Sequence, residues 1–321
     1  MNNKKVPNLG DGLHVQVLGC GSARPSHSHH PSAQIVRLRN KSFLIDCGEG
    51  TQMRMLEYGA SFTSLHRIFI SHLHGDHVFG LPGLISTMAL YGLEHPIHIY
   101  GPKGIIDFVL ILNKLCGLNE EESERLIAHE LTPSGLEPIY EDSSITVSAF
   151  SLLHRVPTVG YRFDERPKSR ALRRDMVDYH GVPIAFFNLI KQGADFVKED
   201  GTVIPNHLLT SPPPQTGSYA YCSDTAYSKK IVPYIEGVSL LYHESTFDES
   251  LAQRAKETMH STAKQAGKIA MLAGVDELLI GHYSARYGSA SQIEVLRSEA
   301  AEIFPNTRAA IEGHYYRATP K

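Results

Sequence analysis

His72-Leu73-His74-Gly75-Asp76-His77, directly behind the apolar run Arg67-Ile68-Phe69-Ile70-Ser71, decides how this chain is read. Three imidazoles and a carboxylate fall within one short stretch. On a helix of about 3.6 residues per turn, positions 72 and 74 would face nearly opposite directions. At the end of a strand they point the same way, and Gly75 lets the backbone turn sharply, so that Asp76 and His77 come back toward the same point. Neutral imidazole and carboxylate are the donors that divalent transition metals take. The bland alternative is a polar surface loop in a histidine-rich chain, but so dense a cluster is hard to reach by chance.

Working outward, the composition says what kind of protein surrounds this cluster. A chain of 321 residues, 42% hydrophobic and 20% charged, is a globular protein of one large domain or two ordinary ones. Cys20, Cys47, Cys116 and Cys222 are scattered, with no CxxC pair. That points to a reducing compartment and to metal held by nitrogen and oxygen rather than sulfur. Met1-Asn2-Asn3-Lys4-Lys5 leads into Pro7, Gly10 and Gly12 without the apolar segment of a signal peptide. No apolar run approaches the ~20 residues needed to cross a bilayer. The expectation is a cytoplasmic protein with no membrane partner. A net charge of −3 counts mildly against nucleic acid, so an RNA or DNA partner would need a local basic cluster.

Strand patterning appears at 13–18, 35–38 and 42–46, the last two joined at Asn40. Helices are expected from Gly48 to about Tyr58, at 81–91 and at 105–115, with a strand at 96–100. Strands at 144–150 and 158–163 flank His154. Residues 164–214 break the pattern: five basic residues, a helical stretch, then Pro212-Pro213-Pro214. This segment reads as an insertion projecting from the core. Strands then resume at 218–222, 239–242 and 277–280, with helices near 228–235, 262–273 and 289–303. Both halves run from strands into helices, which fits two stacked sheets with helices outside. Three further residues follow strands directly: His154 after Ser151-Leu152-Leu153, Asp224 after Tyr221-Cys222-Ser223, and His282 after Leu279-Ile280-Gly281. Each alone would be an ordinary capping or surface residue. Together they are candidates to complete a metal centre with the cluster.

With these residues in place, the chain resembles the metallo-β-lactamase superfamily, and within it the ribonuclease Z family, over nearly its whole length. The cluster carries the superfamily resemblance. The family resemblance rests on Phe43-Leu44-Ile45-Asp46-Cys47-Gly48-Glu49-Gly50-Thr51-Gln52, Phe79-Gly80-Leu81-Pro82-Gly83-Leu84 and Ala220-Tyr221-Cys222-Ser223-Asp224-Thr225. It also rests on His243-Glu244-Ser245-Thr246, His260-Ser261-Thr262 and Gly281-His282-Tyr283-Ser284-Ala285-Arg286-Tyr287. The resemblance implies an α+β, four-layer αββα sandwich in a single domain spanning 1–321, with residues 164–214 as an inserted substrate-binding arm. It implies two Zn2+ per subunit. One would be held by His72, His74, His154 and Asp224, the other by Asp76, His77, His282 and a shared Asp224. Such a pair supplies a hydroxide nucleophile near neutral pH.

The same resemblance assigns Asp76 the further role of proton acceptor and places Asp46 beneath the metals, supporting the ligand loop by hydrogen bonds. His260 is the candidate general acid for the leaving ribose oxygen, with Glu244 to orient it or raise its pKa. A helix-capping role for the His-Ser-Thr turn is the structural alternative. His243 divides evenly between a packing or site-supporting role and a direct functional one. The implied substrate is precursor tRNA, cut endonucleolytically to leave a 3′-hydroxyl on the tRNA and a 5′-phosphate on the trailer. In the family, the arm clamps the tRNA elbow and serves the partner's active site across a homodimer. Arg166, Lys168, Arg170, Arg173 and Arg174 would meet phosphates, unless Asp164, Glu165 and Asp175 merely balance them. At the arm's tip Ala185-Phe186 stands where the family often has Gly-Pro, which alters the turn. His27-Ser28-His29-His30 reads as a solvated loop away from the other motifs. Rival readings are a small-substrate phosphodiesterase or arylsulfatase, a redox di-iron protein, which usually carries a carboxylate at the position of His74, and a non-catalytic binding module.

Overall fold

The structure is a computed structural model and describes residues 9–320 other than Leu93. Alternation within single strands organises it. In Lys41–Ile45, Phe43 and Ile45 enter the core between two sheets while Leu44 enters a separate core under the outer helices. Phe69 and Ile68 divide in the same way on Leu65–Phe69. A strand apolar on both faces must be covered on both, and here it is.

The first sheet has seven strands in the order Tyr315–Arg317, Leu13–Gly19, Ala33–Leu38, Lys41–Ile45, Leu65–Phe69, Ile97–Pro102, Leu126–Leu131. Its first part is antiparallel and its second part, from Lys41–Ile45 onward, is parallel. The second sheet repeats the scheme: Thr307–Ala309, Glu277–Gly281, Leu240–Glu244 and Ser218–Cys222 are parallel, and Val159–Glu165, Ile145–Ser151 and Glu137–Glu141 continue antiparallel. Between the sheets, Phe69 meets Phe163 edge-on at 5.5 Å and stacks on Tyr100 at 5.0 Å. Helices Thr51–Glu57, Leu81–Leu90 and Ile105–Leu115 cover the first sheet; Ala263–Ala273 and Ala290–Ala301 cover the second. Capping boxes start both of the latter, Thr262 with Gln265 and Ser289 with Gln292. The four layers, helix–sheet–sheet–helix, are those expected.

Four strands of the two large sheets are not marked by the sequence pattern: Leu126–Leu131, Glu137–Glu141, Thr307–Ala309 and Tyr315–Arg317. Each sits at or near a sheet edge, where pairing rather than apolar alternation defines it, and Glu137–Glu141 carries Pro138 on the outermost position.

The segment between Val159–Glu165 and Ser218–Cys222 joins two antiparallel neighbours that a short turn could have connected. It leaves through the paired strands Ala171–Leu172 and Thr210–Ser211 and builds its own apolar cluster from Val177, Val182, Ile190, Phe196, Ile204 and Leu209. At Ala185-Phe186 a single 3₁₀ turn runs into helix Phe187–Lys191, and Phe186 packs against Phe196 at 5.2 Å.

Candidate metal centre

Every candidate ligand lies on one rim of the sandwich, where strands of both sheets end. The histidine cluster follows Leu65–Phe69, and Asp76 and His77 sit on the single helical turn Gly75–Val78. Gly75 makes its turn without a positive φ. It opens that helical turn, and a Cβ there would fall 2.6 Å from the ring of the exposed Phe79, which would have to move aside. Gly80 is required for clearance, because its Cβ would meet the Gly48 backbone carbonyl at 2.0 Å. That approach lets Cys47 donate to the His77 carbonyl at 2.7 Å and Gly80 to the Cys47 carbonyl at 2.8 Å, locking the loop onto the strand end.

From the second sheet come His154, Asp224 and His282. Asp224 and His282 have positive φ, 25° and 60°, and Asp46 from the first sheet has 54°. Non-glycine residues adopt such angles only where the surroundings enforce them; here the backbone bends at the strand exit and turns the side chain into the rim.

Asp224 faces two groups at once. Its Oδ2 lies 3.5 Å from His72 Nε2 and 3.7 Å from His154 Nε2, while its Oδ1 lies 3.2 Å from His77 Nε2 and 3.0 Å from His282 Nε2. His74 Nδ1 is 2.9 Å from His72 Nε2. On the other side, Asp76 Oδ2 is 3.3 Å from His77 Nε2 and 3.6 Å from His282 Nε2. Ligands about 2.1 Å from a tetrahedral ion stand roughly 3.4 Å apart, so both groups have the spacing of a coordination shell. The Nε2 atoms of His77, His154 and His282 are buried and make no hydrogen bond. Buried orphan acceptors converging from separate strands fit a cation.

The other ring nitrogens are all engaged, which sets which nitrogen faces inward. His77 Nδ1 donates to Asp46 Oδ2 at 2.7 Å, His154 Nδ1 to the Met259 carbonyl at 2.9 Å, and His282 Nδ1 to Thr246 Oγ1 at 2.9 Å. Asp46 is fully buried and also accepts from the Ser71 amide, the Ser71 hydroxyl and Tyr221 Oη. Asp46 thus stands behind His77 rather than among the inward-facing donors.

Glu244 is the second buried carboxylate. Its Oε1 accepts from the Thr225 amide at 2.8 Å and from His260 Nδ1 at 2.8 Å; its Oε2 accepts from Thr246 Oγ1 at 2.5 Å. Thr246 therefore links Glu244 to His282 while Glu244 directly holds His260. Burial works to lower the His260 pKa, but the Glu244 charge and hydrogen bond outweigh it and raise it above the ordinary value. Burial likewise opposes ionisation of Asp76, yet His77 and His282 hold its carboxyl well below the carboxylate range. His282 is pushed up to about 10, burial being outweighed by Asp224. His243 lies in the same strand as Glu244, but its Nδ1 donates to the Glu244 carbonyl at 2.7 Å, and the structure joins it to no ligand side chain.

The expected arm contacts are engaged within the chain. Arg166 pairs with Glu141, Lys168 with Asp11 at 2.6 Å, Arg173 with Asp175 at 3.7 Å and Arg174 with Asp178 at 3.5 Å; Arg170 Nε donates to Thr210 Oγ1. The 27–30 loop is not the isolated solvated loop expected. His29 packs on Tyr283 at 5.3 Å, His30 pairs with Glu312 at 2.8 Å, and the loop borders a cavity that also touches Asp76. Contacts to residues some 250 positions away pull it in. Over the metal donors lies a cavity of about 510 Å³. The sequence reading assigned no role to Ser71, Tyr221, Thr246 or the arginines of this cavity; the first three lie beside or inside quoted motifs, which was their only signal.

A family model described as anti-Pycsar protein Apyc1 matches residues 13–157. Among curated proteins, the chain is 48% identical over 299 residues to a ribonuclease Z of Bacteroides thetaiotaomicron, covering 93% of each chain. It is 49% identical over 301 residues to a ribonuclease Z of Parabacteroides distasonis, covering 93% of this chain and 97% of that one. Among solved structures, the short form of human tRNase Z superposes with a TM-score of 0.68 at 25% identity over 95% of this chain and 99% of that one. A metallo-β-lactamase fold protein from Bacillus subtilis gives the same score at 20% identity, over 95% of this chain and 99% of that one. With relatives this similar along nearly its whole length, and with this fold, the chain belongs to the ribonuclease Z family of metallo-β-lactamase fold proteins.

Proposed function

We propose that this protein is a binuclear zinc endoribonuclease that removes the 3′ trailer from precursor tRNA, leaving a 3′-hydroxyl on the tRNA and a 5′-phosphate on the trailer. The observation that carries the reading is Asp224 presenting one oxygen to each of two imidazole groups, in which the Nε2 atoms of His77, His154 and His282 are buried without a hydrogen bond. His72, His74, His154 and Asp224 would hold one ion; Asp76, His77, His282 and Asp224 the other. When bound, such a pair neutralises phosphodiester charge and supplies the nucleophile at neutral pH.

The chain's own groups do the rest. Asp76, within 3.3 Å of His77 and 3.6 Å of His282, accepts the proton of the attacking water. His260, whose protonated form the Glu244 carboxylate favours, donates to the departing ribose 3′-oxygen, a poor leaving group without an acid. Asp46 fixes the His77 ring. His243 packs behind the strand rather than acting on substrate.

Residues 164–214 form the substrate arm on this reading. Its separate apolar cluster supports a unit that holds shape beyond the core. Because Arg166, Lys168, Arg173 and Arg174 are each paired with a carboxylate, their phosphate contacts would require exchange of carboxylate for phosphate. Homodimerisation is consistent with Met53, Leu56 and Leu90, exposed on the outer helices of the first sheet. A cytoplasmic site of action follows the substrate; among the described residues no helix is long and apolar enough to cross a membrane.

The test is incubation with a 3′-extended precursor tRNA, mapping of both new ends, and an Asp76→Ala control. Cleavage after the last retained nucleotide, lost in the variant, is expected. An intact trailer alongside hydrolysis of bis-p-nitrophenyl phosphate would reject the tRNA assignment and leave the metal centre standing.

A further inference from the structure

The cavity over the metal donors has two cationic walls. Arg24 and Arg286 stand on one, with Gly75, Asp76 and Ser284, where the Ser22 amide donates to the Tyr283 carbonyl. Arg155 and Arg254 stand on the other, with His154, Thr258 and His260. This second wall is rigidly built. Arg155 Nη2 donates to the backbone carbonyl of Glu257, and Arg254 lies on helix Ala252–Thr258. The residue that ends this helix, Met259, has φ 60° and offers its carbonyl to His154. One short helix thus positions His260, a metal-centre imidazole and both guanidiniums.

Among the described residues, neither Arg155 nor Arg254 takes part in an ion pair; Arg155's hydrogen bond goes to an uncharged carbonyl. Four basic residues of the 164–214 segment, by contrast, each have a carboxylate. Two exposed guanidiniums that line one cavity and are unneutralised by the chain are a site for an anion with fork-like oxygens.

We propose that Arg155 and Arg254 clamp the backbone phosphate one nucleotide 5′ of the scissile phosphate. The inference rests on the endoribonuclease reading, through one geometric step. If His260 protonates the departing 3′-oxygen, the ribose bearing that oxygen lies against the wall that carries His260. The chain leaving that ribose through its own 5′-oxygen then reaches its next phosphate along the same wall, where the two arginines are. They are binding residues and touch no reacting atom. They set where along an RNA the cut falls, because they hold the retained strand one step from the metals.

The experiment measures kcat/KM on a 3′-extended precursor tRNA between about 50 and 200 mM salt, for wild type, Arg155→Gln, Arg254→Gln, the double variant and Arg254→Lys. A second substrate carries an uncharged methylphosphonate at the proposed phosphate. Each glutamine should reduce the slope of log kcat/KM against log salt by up to about 0.7, the value for one single-strand phosphate contact, and lysine should retain it. The methylphosphonate should cost the wild type about tenfold and the double variant nothing further. An undiminished methylphosphonate penalty in the double variant, or lower activity with an unchanged salt slope, overturns the clamp while leaving the endoribonuclease reading intact. Wild-type enzyme that cleaves bis-p-nitrophenyl phosphate but not the tRNA overturns both.

Discussion

Replacing Glu244 by Gln separates support of the general acid from support of the metal centre. Glu244 is fully buried and its two oxygens serve the Thr225 amide, Thr246 Oγ1 and His260 Nδ1. The neutral isostere removes the charge 2.8 Å from the imidazole. Two unit charges about 4 Å apart at an effective dielectric of about 20 interact by about 4 kcal/mol, an upper bound since burial opposes it. His260 would therefore lose the upward shift that Glu244 gives it. General acids contribute about 10²–10⁴ in rate, so kcat on precursor tRNA should fall by about 10²-fold. One carboxamide NH2 must also face a group that now donates, costing about 1–3 kcal/mol of stability.

The assay compares precursor tRNA, whose leaving group is an alkoxide, with bis-p-nitrophenyl phosphate, whose phenolate departs without an acid. The variant should lose about 10²-fold on the first and only a few-fold on the second. Wild-type activity on tRNA should fall as pH rises through the elevated His260 pKa, and this alkaline limb should move to lower pH in Glu244→Gln. Combining it with His260→Ala should add little to His260→Ala alone, because the two act as a unit. Equal losses on both substrates with an unmoved alkaline limb would exclude this role for Glu244 and make it a support of His282 through Thr246.

Asp46→Asn replaces an acceptor of bonds from Ser71, His77 and Tyr221; metal affinity, read by competition with a chelator, should weaken about 10–100-fold, and unchanged affinity would remove Asp46 from the site's support. Exhaustive chelation should abolish hydrolysis and lower the melting temperature, with Zn2+ restoring both, because buried imidazoles that converge on a cation lose about 2.7 kcal/mol of stabilisation relative to metal at 100 times its Kd. An unmoved melting temperature would contradict a metal-linked fold. His66, His98 and His129 have pKa values lowered by burial and by neighbouring charges, Arg67 among them, with His98 Nδ1 2.9 Å from His129 Nε2. The folded protein resists protons that the unfolded chain accepts, so their stability contribution is complete above the unfolded value near 6.5 and is lost as pH falls below it. His129→Gln should therefore lose less stability than wild type between pH 7 and 5 in denaturant titrations; an equal loss contradicts the assignment.

What was legible in the chain and what was not divides along sequence distance. His72, His74, Asp76 and His77 declare a metal centre because their convergence is local, set by a strand end and one helical turn. The strands Lys41–Ile45 and Leu65–Phe69 were visible from their apolar runs, and helices Ala263–Ala273 and Ala290–Ala301 were placed to within a few residues of their ends. His154, Asp224 and His282 could be marked as strand-exit residues, but the split of Asp224 between two imidazole groups depends on how the two sheets stack. So do the positive φ angles at Asp46, Asp224 and His282, which local preference disfavours and tertiary packing imposes. The edge strands were silent because pairing, not pattern, defines them. Lys168 and His30 looked free in the sequence because their partners, Asp11 and Glu312, lie 157 and 282 positions away. Side-chain type and short-range periodicity are written along the chain and name the chemistry. Which carboxylate faces which imidazole, and which arginines are left unpaired beside them, is decided only when distant strand ends meet on one rim.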